Sequence, residues 1–323
     1  MMRASFISEM NSLGRHRIPF LFIVDFALDK PLLLPLHRVN ADNILFDVNG
    51  KRNYLPQVQN GVHITLEKMP ITLLEYKYKF DAVFKRLEYG DSFLTNLTIK
   101  TEVKPSTSLR DIFYQSHAKY KLLYENQFLV FSPETFIQIK TGKIYSFPMK
   151  GTIDAALPNA RESILNDPKE LSEHVTIVDL IRNDLSQVSR NVHVQKFRYV
   201  DEVKSKDKIL LQVSSSIVGD LEDDYHSQIG DILVKLLPAG SVSGAPKTKT
   251  VEIIGETELE ERGYYTGVFG LYDGEAVDSG VMIRFIEHDG EKYFYRSGGG
   301  ITTQSTLESE YLEALDKVYV PIA

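Results

Sequence analysis

The chain of 323 residues has no cysteine. That single absence excludes disulfides, thiolate zinc sites and any cysteine nucleophile. Long hydrophobic runs are also missing, since the longest, at 19–26 and 31–36, fall far short of a bilayer span. Met1-Met2-Arg3-Ala4-Ser5 leads into mixed polar sequence rather than the apolar core of a secretory signal. There is no excess of positive charge: the net charge is −7, and no basic stripe with interleaved aromatics is present. The basic residues of 196–208 are interrupted by Asp201, Glu202 and Asp207, which reads as a solvated hairpin or loop. Internal repeats, low-complexity tracts and a Pro/Gly/Ser linker are likewise absent. These absences argue against nucleic-acid binding and membrane insertion, and a cytoplasmic protein is expected.

What is present is an ordinary globular composition, 43% apolar and 25% charged. Residues 1–75 alternate short apolar runs (20–26, 44–48, 62–66) with Asn, Asp, Gly and Pro turns, and Asn49-Gly50 is a hairpin signal. Leu74, Tyr78, Val83 and Leu87 predict a helix over 74–89 ended by Gly90. Further helices are predicted at 107–118, 227–237, 246–259 and 306–318, the last opened by Ser305-Thr306-Leu307-Glu308 in capping-box form. The strongest helix spans 167–185, with Asp167 as N-cap, Pro168 at the first position and Leu171, Val175, Val178 and Ile181 as its apolar stripe. Strands are predicted at 92–101, 128–132, 135–147, 192–200, 209–219, 265–273, 277–288 and 291–297. Many strands with interspersed helices and no βαβ rhythm indicate an α+β fold.

Six stretches could carry chemistry. In Pro148-Met149-Lys150-Gly151-Thr152, a strand ends at proline and Gly151 permits a tight turn just after Lys150. A lysine held rigidly and desolvated is a candidate nucleophile; the alternative is a solvated strand-end lysine. Glu170 and Glu173 on one helix, and Glu310 and Glu313 on another, stand at i,i+3, so each pair shares a face. Two such faces across a cleft would offer oxygen ligands suited to Mg²⁺, or they are two solvated surfaces. The hydroxyl-rich loop 238–248, containing Ser241, Ser243 and Lys247, opens a helix and could receive an anion or merely cap that helix. Arg296-Ser297-Gly298-Gly299-Gly300 reads as a Gly-rich turn that would let a ligand approach backbone N–H groups. Arg284, inside the apolar strand 281–286, calls for a carboxylate from the protein or from a substrate.

Taken in order, Pro148–Thr152, the run from Glu173-His174 to Arg182-Asn183-Asp184, Gly240–Lys247, Ile283-Arg284 and Gly298-Gly299-Gly300-Ile301 through Glu310-Tyr311-Leu312-Glu313 closely resemble the chorismate-utilising enzymes. The resemblance runs from about Gly90 to Lys317. It implies a single large domain of two antiparallel-rich sheets packed together and flanked by helices, with the active site in a cleft between the halves. Residues 1–75 would be a shortened N-terminal region of that domain and 76–323 the catalytic region.

The resemblance also implies roles. Glu173 and Glu313, supported by Glu170 and Glu310, would hold Mg²⁺ on the ring carboxylate of chorismate. Arg284 and Tyr265 would hold the enolpyruvyl carboxylate, with Ser241, Ser243, Lys247 and the backbone near Gly298 and Gly299 completing the substrate site. Lys150, with Thr152 beside it, would be catalytic, kept neutral by nearby cations. Lysine before Gly-Thr is the pattern of aminodeoxychorismate synthases, whereas alanine is typical of the anthranilate and isochorismate types. Leu94 stands where water-using members carry a general-base lysine, and Gln212 where the family usually has histidine. The implied reaction is amination of chorismate at carbon 4. With no cysteine for a glutaminase, ammonia would come from a separate glutamine amidotransferase subunit. Anthranilate synthesis and a non-catalytic chorismate-binding subunit are the alternatives.

Overall fold

Phe20-Leu21-Phe22-Ile23-Val24 is buried along its whole length. Side chains alternate across a strand, so an unbroken apolar run needs cover on both faces. Phe20, Phe22 and Val24 pack into one cluster with helical residues such as Met10, Ile177 and Leu233, while Leu21 and Ile23 pack into a second with strand residues such as Phe46, Leu122 and Phe128. The first cluster lies between a sheet and its helices, and the second lies between two sheets.

The computed structural model describes residues 2–56, 64–204 and 209–322. Its elements begin with α1 (Met2–Arg15), β1 (Phe20–Val24), β2 (Leu32–Pro35), β3 (Ile44–Val48), β4 (Lys51–Arg52) and β5 (Leu66–Met69). Next come α2 (Leu73–Tyr89), β6 (Leu94–Pro105), α3 (Leu109–Gln115), β7 (Tyr120–Tyr124), β8 (Phe128–Ser132), β9 (Thr135–Lys140), β10 (Lys143–Ser146) and β11 (Met149–Asp154). Helices α4 (Ala160–Asn166) and α5 (Pro168–Ser186) precede β12 (Arg190–Lys204), β13 (Ile209–Asp220) and α6 (Ile229–Leu236). The chain ends with β14 (Gly244–Ala245), α7 (Lys247–Glu258), β15 (Val268–Tyr272), β16 (Val277–Val281), β17 (Phe285–His288), β18 (Tyr293–Ile301) and α8 (Leu307–Asp316).

The first sheet runs β11-β13-β10-β9-β16-β15-β1-β2 with β12 on β13, and the second runs β14-β6-β18-β17-β8-β7-β3-β4 with β5 on β6. The strands of residues 1–75 are shared between both sheets, so this segment is woven into the common core. Helices α1, α5 and α6 cover the outer face of the first sheet, and α2 and α3 cover that of the second. This is the α+β arrangement of two packed antiparallel sheets flanked by helices. No helix among the described residues is long and apolar enough to cross a membrane.

Local signals placed most elements. Thr72 and Glu75 form a capping box on α2, and Gly90 ends it at φ 90°. Asn49 and Gly50, at φ 52° and 93°, turn the β3–β4 hairpin. Several expectations need correction. Helix α1 was hidden because, among the described residues of its mixed sequence, the buried apolar side chains are Phe6 and Met10 alone. Serine 305 forms no capping box on α8: its hydroxyl accepts from the Thr302 N–H, and Thr306 is the N-cap without a side-chain bond. The expected strand at 277–288 is two strands in different sheets, because the chain crosses over at 282–284 and Arg284 takes φ 53°. Of the strand expected at 62–66, residues 62 and 63 lie outside the described residues, as do 205–208 of the basic hairpin.

A buried ion pair fastens the end of α7 to β6. Arg262 donates to Glu258 through Nε at 2.8 Å and Nη2 at 2.7 Å, to Val242 O at 2.7 Å and to Asn96 O at 2.8 Å, while Glu258 accepts from the Thr98 N–H at 2.8 Å. Arg262→Met strands a buried carboxylate, and is expected to lower the unfolding free energy by about 3–5 kcal/mol. A denaturant melt with an unchanged midpoint would contradict this.

Candidate active site

Helix α5 starts where Asp167 accepts from the Glu170 N–H, and 3.6-residue periodicity then carries Glu170 and Glu173 on one face. Helix α8 does the same for Glu310 and Glu313. The two faces meet, as Lys169 Nζ lies 3.8 Å from Glu173 Oε1 and 3.3 Å from Glu310 Oε1. Lys317 donates to Glu313 Oε1 at 2.6 Å and to Gly298 O at 2.8 Å, and Lys150 Nζ stands 3.2 Å from Glu173 Oε2. Burial and then Glu173 push the Glu170 carboxyl above its usual range, and burial also raises Glu310. Against burial, Lys317 and then Lys150 and Lys169 hold Glu313 below that range.

Lys150 sits in β11, not in a turn. Met149 pairs with Ser214 and Thr152 with Gln212, so three steps on one strand oppose two on the other, a β-bulge that takes in Lys150 and Gly151 (φ 81°). The bulge turns the lysine into the cleft. Its surroundings differ from the cations expected: burial disfavours its ammonium, but Glu173, Glu313 and Glu170 outweigh that and raise its pKa. Thr152 is exposed two residues along, opposite Gln212.

Gly298, Gly299 and Gly300 form the end of β18, paired with β6, rather than a turn. Glycine is needed for proximity. A Cβ on Gly299 would lie 3.3 Å from Glu310 Oε2 and 3.4 Å from Glu313 Oε1, and one on Gly300 would lie 2.8 Å from Leu94 Cδ1 and 3.3 Å from Lys150 Nζ. Leu94 and Lys150 thus border the same space over Gly300.

Arg284 lies at the sheet crossover with its guanidinium 5.3 Å from the Tyr319 ring centroid. Its Nε is buried without a partner, and no ion pair to it is found among the described residues. A half-buried guanidinium lacking a protein carboxylate is suited to one supplied by a ligand. Tyr265 is buried nearby, its phenol pushed up to about 12 by burial. Ser241 donates to Glu134, a half-buried residue whose carboxyl burial raises and whose field includes Lys150, Arg284 and Lys317. Sequence reasoning missed Glu134, Lys169 and Lys317. The Lys317–Glu313 spacing of i,i+4 is indistinguishable from a solvated helix pair.

Two residues of the 238–248 loop are occupied structurally. Ser243 is fully buried and donates to Ala239 O at 2.9 Å, and Lys247 donates to Asp184 Oδ2 at 2.7 Å and Leu236 O at 2.9 Å. His174, next to Glu173, is also internal: its Nε2 is 2.7 Å from Ser215 Oγ, and burial and Arg198 lower its pKa to about 4. A groove of about 1280 Å³ along α5, lined by Phe93, Val175, Phe197 and Pro246, reaches the cluster at Glu173.

Lys247→Met leaves Asp184 charged and buried, and is expected to cost roughly 2 kcal/mol of stability. Burial raises the Asp184 pKa in the folded state, so the deficit should narrow as pH falls through that pKa and the carboxyl is neutralised. Asp184→Asn should remove most of the deficit in the double variant; a deficit unaffected by either pH or the second substitution would exclude the pair as its source.

Residues 42–323 match the family described as chorismate binding enzyme. An uncharacterized PabA-like protein of Haemophilus influenzae is 47% identical over 98% of this chain and 96% of its own length. Aminodeoxychorismate synthase component 1 of Bacillus subtilis is 29% identical over 77% of this chain, which spans 55% of that protein. The crystal structure of anthranilate synthase component I from Streptococcus pneumoniae superposes with a TM-score of 0.68 at 26% identity, covering 78% of this chain and 58% of that one. With the motifs, the two-sheet fold and the cleft in agreement, the chain belongs to the chorismate-binding enzyme family.

Proposed function

We propose that this chain is an aminodeoxychorismate synthase component I, converting chorismate and ammonia to 4-amino-4-deoxychorismate. The observation that carries the reading is Lys150: its amine lies within the carboxylate-lined cleft, 3.2 Å from Glu173 Oε2. Beside it, bordering the same space over Gly300, stands Leu94, which cannot take a proton from water. A nucleophilic amine without a base for water favours amination over hydration.

The donor set fits Mg²⁺. Among the described residues no three acidic or histidine side chains form a cage by themselves. The facing glutamates, three of them (Glu173, Glu310 and Glu313) held by lysine cations, suit an ion that uses few carboxylates and completes its shell with water and substrate. Glu173 and Glu313 would hold it with Glu170 and Glu310 in support. Bound there, Mg²⁺ would withdraw charge from the ring carboxylate and compensate the carboxylates that keep Lys150 protonated.

Arg284 and Tyr265 orient the enolpyruvyl carboxylate. The neutral Lys150 amine forms a bond to ring carbon 2, the two ring double bonds shift, and the carbon 4–oxygen bond breaks. The hydroxyl leaves as water with the proton lost by the amine. Ammonia then bonds to carbon 4, the double bonds return, and the carbon 2–nitrogen bond breaks with its electron pair returning to Lys150, which takes up the proton that the new amine sheds. The cysteine-free chain receives its ammonia from a separate glutamine amidotransferase subunit.

Chorismate, Mg²⁺ and ammonium should yield 4-amino-4-deoxychorismate by mass spectrometry, and glutamine should not replace ammonium in the pure chain. Anthranilate fluorescence without an added lyase would point to the other synthase of the family instead.

With ammonia withheld, chorismate and Mg²⁺ should load Lys150 with a chorismate-derived adduct that peptide mapping locates. Lys150→Ala should retain chorismate binding yet lose about 10²-fold or more in turnover. A variant as fast as wild type, with no adduct on the native chain, would remove the lysine from the mechanism.

A further inference from the structure

Three lysines reach the glutamate cluster, and they are not equivalent. Lys317 is fixed twice, to Glu313 Oε1 at 2.6 Å and Gly298 O at 2.8 Å. Lys150 is set by its bulge and is 23% exposed. Lys169 is 36% exposed and makes the loosest contacts, at 3.3 and 3.8 Å, yet these reach one carboxylate of each helix. Its acceptor Glu310 is only 2% exposed. The cation can therefore swing into solvent on its flexible stem, while the buried acid cannot follow. An acid left behind in that way requires another cation.

We propose that Lys169 is a positioning residue that holds the α5 and α8 carboxylates face to face before the metal arrives, and that the incoming divalent cation displaces its ammonium from Glu173 and Glu310. The inference rests on the reading of these glutamates as a Mg²⁺ site. Without Lys169 the two acidic faces would repel across the cleft. With it they remain close, and the metal must compete for the same oxygens. Lys169 thereby stabilises the metal-free protein and weakens metal binding. A lysine that served only to support the fold would do the first and not the second.

The test is Mn²⁺ titration of the full chain, followed by electron paramagnetic resonance and reversed with Mg²⁺, in the absence of chorismate. Lys169→Met should bind Mn²⁺ about two- to fivefold more tightly than wild type, the range expected for loss of a half-exposed ion pair. Its metal-free melting temperature should fall and recover with millimolar Mg²⁺. Lys169→Arg, which retains the charge, should keep wild-type affinity or bind more weakly. Equal or weaker binding by Lys169→Met would overturn the displacement. Should that variant not fold without metal, folding restored by Mg²⁺ supports the inference and folding not restored counts against it. A wild-type chain that takes up no Mn²⁺ removes the metal site itself and the inference with it, an outcome distinct from a site that binds metal but ignores Lys169.

Discussion

The Arg262–Glu258 pair is the constraint on which the cleft depends. It lies where helix α7 ends, and its hydrogen bonds reach β6 at Asn96 and Thr98 and the loop at Val242, while the guanidinium packs 4.7 Å over Phe26 just beyond β1. The pair thus ties β6 of the second sheet to the Val242 loop and to the segment that follows β1. Tyr265 follows three residues later, and β6 carries the backbone against which Gly298–Gly300 are paired. A shift at Arg262 would pass directly to the walls of the site. An apolar replacement could fill the same volume, but it could not fix five backbone and carboxylate positions at once.

Within that frame the site is governed by an imbalance of charge. Four glutamates face three lysines, and Glu134 and Arg284 stand beyond them. Burial raises Glu170 and Glu310, the direction expected of carboxylates short of positive charge, whereas Glu313, closest to Lys317, goes the other way. Burial also depresses Lys317, with Lys150 and Arg284 opposing its charge. Negative charge thus gathers on one side of the cleft, and an arginine without a protein carboxylate stands on the other.

The fold was legible wherever a local rule coincided with the global structure. Asp167, Pro168 and the apolar stripe of α5, the Asn49-Gly50 turn, and Gly90 each determine a backbone state by themselves. Legibility failed where only tertiary contact decides. Helix α1 is defined by packing on α6, and the break at 282–284 by the chain passing between sheets. In the site, the glutamate pairs were visible from spacing. Lys247 was assigned to the substrate from its place in the loop, because the partnering Asp184 is 63 residues away in sequence. Lys317 and Lys169 were overlooked for the reason that a lysine one turn from a glutamate is ordinary on any helix.

The groups closest to the proposed chemistry occupy the places where regular structure is interrupted. Lys150 occupies a bulge, Arg284 a left-handed residue at a sheet crossover, and Gly300 a point where the side chains of Leu94 and Lys150 would crowd a Cβ. Each interruption costs stability, and a bulky residue at positive φ costs of order 1–3 kcal/mol. The surrounding sheets, buried on both faces, supply the rigidity that maintains them. A regular strand through Lys150 would alternate its side chains between faces and could not direct the lysine at will. The bulge frees that direction from the pleat, so the lysine can be aimed at the cleft while its neighbours continue to pack.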